Sequence, residues 1–185
     1  MKIACTVWIG GKTGDYFKSL PIDIMSIALT RVDFRLIHGQ VITRWLKQCD
    51  INEIVTVDTA LSKDEFMQDV FKMAAPKGVR IRILSVEEAV AAQENGEFER
   101  NRILVLLKSV QELTNAINAG LALPEIQIGG LGGGPGRKAV NNAITLDRKD
   151  ADQLLAIESK GINVYFQTTP DYPSETLQNA VKKLA

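Results

Sequence analysis

Histidine is almost absent from this chain: there is one in 185 residues, at position 38. A lone imidazole cannot build the multi-histidine centres that bind transition metals. The two cysteines, Cys5 and Cys49, fall in no ligand spacing that would replace them. Two cysteines make no disulfide framework either, so a reducing cytoplasm is the expected setting. Excess charge of one sign is also missing, with 22 Lys plus Arg against 22 Asp plus Glu. That balance excludes a global attraction to nucleic acid or anionic lipid and leaves room only for a local basic site. No apolar run approaches the roughly 20 residues that a membrane-crossing helix needs. The longest candidates, such as Ile103-Leu104-Val105-Leu106-Leu107, are strand-sized.

The length suits one domain with a sizeable core. The first 25 residues have an apolar stretch too short and broken for a signal peptide. Met25-Ser26 makes a natural start for a folded domain, so residues 1–25 read as an N-terminal extension or leader and residues 26–185 as the domain.

From Ser26 onward, short β-rich runs alternate with amphipathic helical runs. Strands are expected over residues 27–30, 51–57, 79–84, 102–107, 125–128, 143–146 and 162–167. Helices are expected over residues 41–47 and 63–75, from Ser85 to near Gly96, from Ser109 to Gly120, from Asp147 to about Lys160, and over 174–184. Ser85-Val86-Glu87-Glu88 and Ser109-Val110-Gln111-Glu112 have the capping-box pattern. This alternation predicts a single α/β domain with a central, mostly parallel sheet of about seven strands flanked by helices. Ligands of such sheets bind beyond the C-terminal strand ends, which directs attention to the loops after strands one, two and five.

The first of these loops carries RVDFRLIHGQ, residues 31–40. Arg31 and Arg35 supply forked, permanently charged donors suited to phosphate oxygens. Gly39 and Gln40 open the next helix, where free N–H groups favour an anion. Asp33 can orient the ring of His38 or an arginine. In these surroundings His38 can act as a nucleophile toward phosphorus, through its neutral ring. The ordinary alternative is a capping or packing histidine.

Other motifs are weaker. GGLGGGPGRK, residues 129–138, reads as a mobile loop near the site with Arg137 and Lys138 beside it. Its G-x-G-x-x-A match at Gly134, Gly136 and Ala139 leaves no room for the helix a dinucleotide site requires. Gly11-Lys12-Thr13 lacks the earlier glycine of a phosphate-binding P-loop, because position 6 is Thr6. Asp58 reads equally as a helix cap or a site residue, and Trp45 as core.

The run RVDFRLIHGQVITRW, with the GRKAVNNAITLDRKD region, resembles the IIB components of the mannose/fructose/sorbose family of the bacterial sugar phosphotransferase system. The likeness covers the chain from Ser26 to Ala185. It implies a cytoplasmic phosphoryl carrier, peripherally associated with a membrane permease. His38 would accept phosphate on Nδ1 from a phosphohistidine of a IIA protein and pass it to a sugar moving through IIC and IID components. Arg31 and Arg35 would hold phosphate oxygens, assisted by the Gly39-Gln40 backbone. The resemblance implies no metal, cofactor or nucleic acid; homo-oligomerisation and the sugar's identity are left open. Two competing readings are a regulatory module that kept the fold without the transfer, and a nucleotide-binding Rossmann-like enzyme.

Overall fold

The computed structural model describes residues 26–184; the expected extension, with its Gly11-Lys12-Thr13, lies outside them. Along the chain run β1 (Ile27–Asp33), helix α1 (a π-helical turn, Val41–Trp45, continuing as Leu46–Gln48), β2 (Glu53–Val57) and α2 (Glu65–Met73). Then come β3 (Arg80–Leu84), α3 (Val86–Glu94), β4 (Ile103–Leu107), α4 (Val110–Asn118) and β5 (Glu125–Gly130). The chain continues through β6 (Lys138–Asn141), β7 (Ile144–Leu146), α5 (Arg148–Ser159), β8 (Asn163–Phe166), β9 (Glu175–Thr176) and α6 (Leu177–Lys182).

Seven strands form one sheet in the order β3-β2-β4-β1-β5-β8-β9, and every pairing is parallel except β8 with β9. β4 shows how the sequence builds it. Its uninterrupted apolar run alternates side chains between the two faces, as a strand covered on both sides must. Ile103, Val105 and Leu107 join the core beneath α3, α4, α5 and α6, while Leu104 and Leu106 join Val41, Trp45 and Leu46 of α1 on the other face. β1 and β4 are neighbours, yet the helices that come after them, α1 and α4, cover opposite faces. The crevice at their carboxyl ends is therefore the topological switch point, where a ligand site is expected.

Three sequence expectations are corrected. The expected sixth strand belongs to a separate antiparallel hairpin, β6–β7, tied to the end of β5 by a bridge between Leu131 and Ile144. The seventh strand of the sheet is instead the two-residue β9, within the stretch read as the start of the last helix. β1 also runs on to Asp33, so Arg31, Val32 and Asp33 are strand residues and not loop. Charged residues look like loop in a sequence, whereas here two of them enter the core as a pair.

Candidate functional site

Asp33 closes β1 and is fully buried. Its carboxylate is saturated by two arginines. Oδ2 accepts from Arg31 Nη2 at 3.0 Å and from Arg35 Nη2 at 3.2 Å, and Oδ1 accepts from Arg35 Nε at 3.1 Å and from the Arg35 backbone N–H at 3.2 Å. The chain then reverses through Leu36, a non-glycine residue at φ 54°, whose N–H donates to Asp33 O at 2.9 Å. This left-handed backbone costs about 1 kcal/mol, offset here by burial of the Leu36 side chain.

The turn delivers His38 to the mouth of α1. Its Nδ1 lies 2.9 Å from Leu36 O, and its Nε2 lies 3.7 Å from Asp33 Oδ2. A carbonyl only accepts, so Nδ1 is the donor in this geometry, while Nε2 is buried without a hydrogen bond. The ring itself is partly open, with 17% of its side-chain surface exposed. His38 O accepts from Ile42 N–H at 3.0 Å, and Thr43 Oγ1 donates to Gly39 O at 2.7 Å, so the helix begins at His38. Gly39 and Gln40 are exposed in its first turn, whose N–H groups have no carbonyl four residues back. A Cβ placed on Gly39 would meet nothing within 4 Å, so this approach is clear. Gln40 Oε1 accepts from Arg35 Nη2 at 3.4 Å.

The two arginines part company. Arg35 is one-third exposed and lies over the Phe34 ring at 5.6 Å, so it borders solvent beside the site. Arg31 is completely buried. Besides Asp33, its guanidinium donates to Gln127 Oε1, to Gln167 O at 3.0 Å and to Thr168 O at 3.0 Å, and it lies over the Trp45 ring at 5.4 Å. Burial lowers the pKa of this guanidinium and the Asp33 charge partly restores it. Arg31, expected from the sequence to hold phosphate oxygens, has no exposed side-chain surface here and directs its donors to Asp33, Gln127, Gln167 and Thr168 beneath the site.

The glycine pair at 129–130 serves the same pair of charges, a role sequence reasoning missed. A Cβ on Gly129 would fall 1.8 Å from Arg31 Cζ, and one on Gly130 would fall 2.8 Å from Asp33 Oδ1. The slot exists because β5 is bare where β1 carries its ion pair. Two glycines ending a strand opposite an R-x-D strand were the available signal. The rest of the glycine-rich stretch is anchored beyond Gly130: Thr145 Oγ1 donates to Gly132 O at 2.6 Å, and Arg137 Nη1 pairs with Asp147 at 2.8 Å. Gly132 also passes close to Phe34, so the stretch begins beside the site. Asp58 is a cap, accepting from Ala60 N–H at 3.0 Å and Leu61 N–H at 2.9 Å. Trp45 is core, with its Nε1 donating to Thr168 O at 3.2 Å. Among the described residues, no three His, Cys, Asp or Glu side chains converge on a metal-sized site, and no helix is long and apolar enough to cross a membrane.

Residues 27–185 match the family model for the PTS system sorbose subfamily IIB component. The chain belongs to that family. Among IIB relatives, the sorbose-specific EIIB component of Lacticaseibacillus casei is 29% identical over 83% of this chain and 93% of its own. The mannose-specific EIIAB component of Escherichia coli (strain K12) is 27% identical over 89% of this chain but only 51% of its own, so the chain spans about half of that relative. Two solved structures share the IIB fold. The IIBSor domain of the sorbose permease from Klebsiella pneumoniae superposes with a TM-score of 0.78 at 27% identity, covering 86% of this chain and 98% of that one. The manxB protein from Thermoanaerobacter tengcongensis superposes with a TM-score of 0.76 at 32% identity, covering 85% and 95%.

Proposed function

We propose that this IIB-family protein is a phosphoryl carrier, the IIB subunit of a protein-phosphohistidine–sugar phosphotransferase. His38 accepts phosphate from the phosphohistidine of a IIA donor and hands it to a sugar carried by the IIC and IID components of a membrane permease. The carrier is cytoplasmic and meets the membrane only through that permease. The observation that carries this reading is one partly open imidazole set between two acceptors, Leu36 O and the Asp33 carboxylate, at a helix start beside the partly exposed Arg35.

The transfer needs little machinery. The imidazole lone pair attacks phosphorus, the bond from phosphorus to the donor's imidazole nitrogen breaks, and each ring keeps a proton on its remote nitrogen. The acceptor ring becomes cationic as the bond forms. If the attack comes from Nδ1, the proton sits on Nε2 facing Asp33, which stabilises that cation. The ring must then withdraw Nδ1 from Leu36 O, since two lone pairs facing each other repel. A ring turned in this way presents Nε2–H to Asp33, in place of the Nδ1–H that meets Leu36 O in the resting geometry. The loose transition state of phosphoryl transfer calls for cationic donors at the equatorial oxygens, which Arg35 and the first-turn N–H groups at Gly39 and Gln40 supply. The sugar class is a hexose or N-acetylhexosamine of the mannose, fructose or sorbose type.

Phosphoenolpyruvate, the general phosphotransferase proteins and a charged IIA donor should label the wild-type protein with an acid-labile, alkali-stable phosphate. His38→Gln should take no label and keep its fold. Absence of label from a donor shown to be charged would refute the carrier reading. Arg35→Ala should slow transfer about 10²-fold; an unchanged rate would remove Arg35 from the site. Nitrogen-resolved NMR of the labelled ring would decide between Nδ1 and Nε2.

A further inference from the structure

A polar row crosses the buried sheet beneath the site. Arg31, Gln127 and Tyr165 are register partners on the adjacent parallel strands β1, β5 and β8, so their side chains stand side by side on one face. On β4 the partner of Arg31 is Leu106, where apolar packing resumes. Gln127, at the centre of the row, is completely buried. Its neighbours Ile126 and Ile128 join the core on the opposite face. A parallel strand covered on both faces is ordinarily apolar throughout, and a buried amide costs stability unless its groups are paired. Here they are paired in one direction. A guanidinium only donates, so Gln127 Oε1 accepts from Arg31 Nη1, which leaves Nε2 to donate to Tyr165 OH at 3.2 Å and Gln167 Oε1 at 3.5 Å. Arg31 Nε has no partner, so the guanidinium is oriented through its two amino groups alone. Nη1 divides between Gln127 Oε1 and the backbone oxygen of Gln167, and Nη2 between Thr168 O and Asp33 Oδ2. That same Oδ2 lies 3.7 Å from His38 Nε2. A chain of contacts therefore leads from the Gln127 amide to the atom that faces the ring.

We propose that Gln127 is a positioning residue for phosphoryl transfer: by holding Arg31 Nη1 it sets where Asp33 Oδ2 stands against the His38 ring. This role rests on the carrier reading of His38 and extends it to a side chain that meets neither donor nor sugar. A neutral amide suits the task. It accepts from the guanidinium without adding a second negative charge that would draw Arg31 away from Asp33. It also passes the constraint on, because its other end is held by the Tyr165 hydroxyl. An apolar residue of the same size would fill the space but leave the guanidinium free to turn on its Asp33 side. Attack on phosphorus depends on the ring's placement to within a fraction of an ångström, so such freedom lowers the rate without altering the surface the donor meets.

The test compares full-length wild type, Gln127→Leu and Tyr165→Phe in rapid-quench transfer from isotopically phosphorylated IIA, over a range of donor concentrations. Gln127→Leu should lower the maximal rate about tenfold or more and leave the half-saturating donor concentration unchanged. Tyr165→Phe, which deletes one hydroxyl at the far end of the row, should lower the rate in the same way but less. A second readout needs no donor. His38 is the only histidine, so its two ring nitrogens give the only imidazole signals in nitrogen-resolved NMR. Those signals should be displaced in Gln127→Leu, although Gln127 reaches the ring only through Arg31 and Asp33. A wild-type maximal rate in folded Gln127→Leu overturns the assignment, as does a slowed rate with unmoved ring signals. A raised half-saturating concentration at full maximal rate also overturns it, because the donor face and not the ring has then been disturbed. If the leucine variant does not fold, Tyr165→Phe decides by the same two readouts. Labelled wild type keeps the carrier reading standing whatever the variants do, whereas no label from a charged donor removes that reading and the role that rests on it.

Discussion

Asp33 shows how much a single residue can organise. Its buried carboxylate is acceptable only because Arg31 lies beside it and Arg35 above it. Gly129 provides the space for Arg31, so a side chain added there would collide with the guanidinium. Gly129→Ala should displace the guanidinium and destabilise the protein by roughly 3–5 kcal/mol, lowering the thermal midpoint by about 6–20 °C. Gly133→Ala, where an added methyl group meets nothing within 4 Å, should stay within about 0.5 kcal/mol of wild type. That His38 and Arg35 lie close together was legible in the sequence because both belong to one turn. Arg31 was not, because its partners Gln127 and Thr168 lie 96 and 137 residues away, and only the folded sheet brings them to it.

Helix starts were the most readable elements. At α3 the Ser85 box is complete: Glu88 N–H donates to Ser85 Oγ at 3.1 Å and Ser85 N–H donates to Glu88 Oε2 at 2.7 Å. At α4 the Ser109 hydroxyl caps as expected, but Glu112 Oε2 accepts from Lys108 N–H at 3.0 Å, one residue earlier than the box prescribes. Ser85→Ala should cost about 1 kcal/mol, read from urea midpoints. The β6–β7 hairpin was not legible as such, since its strands are four and three residues long and their turn places Ala143 at φ 59°. Glycine adopts this backbone without the Cβ penalty, and Ala143 is exposed, so Ala143→Gly should stabilise by about 0.5 kcal/mol and leave phosphoryl transfer untouched. A loss of stability would mean that the hairpin turn is not strained as its dihedral indicates.

For the molecule as a whole, the α/β order and the parallel sheet follow from the alternation of runs, whereas the strand order depends on which face each crossover helix covers. Stability should depend on pH in an unusual direction. Burial raises the carboxyl of Glu125, at the start of β5, to about 7 from 4.5, opposed by a hydrogen bond from Asn163. Burial also raises Glu112 and Glu158. A raised carboxyl binds its proton more tightly when folded, so this contribution is complete below the unfolded value and is lost as pH rises through 7. Between pH 5 and 8 the wild type should lose on the order of 1–3 kcal/mol from Glu125, discounted for its partial exposure. Denaturant midpoints of Glu125→Gln should vary less over that range; an equal slope would mean that Glu125 is not the group responsible. The two margins of the sheet carry a last consequence. One is β3, where Arg80 is exposed and Arg82 sits over Phe98 at 5.3 Å and pairs with Glu97; the other is β9, only two residues long. Neither offers a long, flat, uncharged row of free amides and carbonyls on which a foreign strand could grow. Even crowded, this protein should stay dispersed and resist fibre formation.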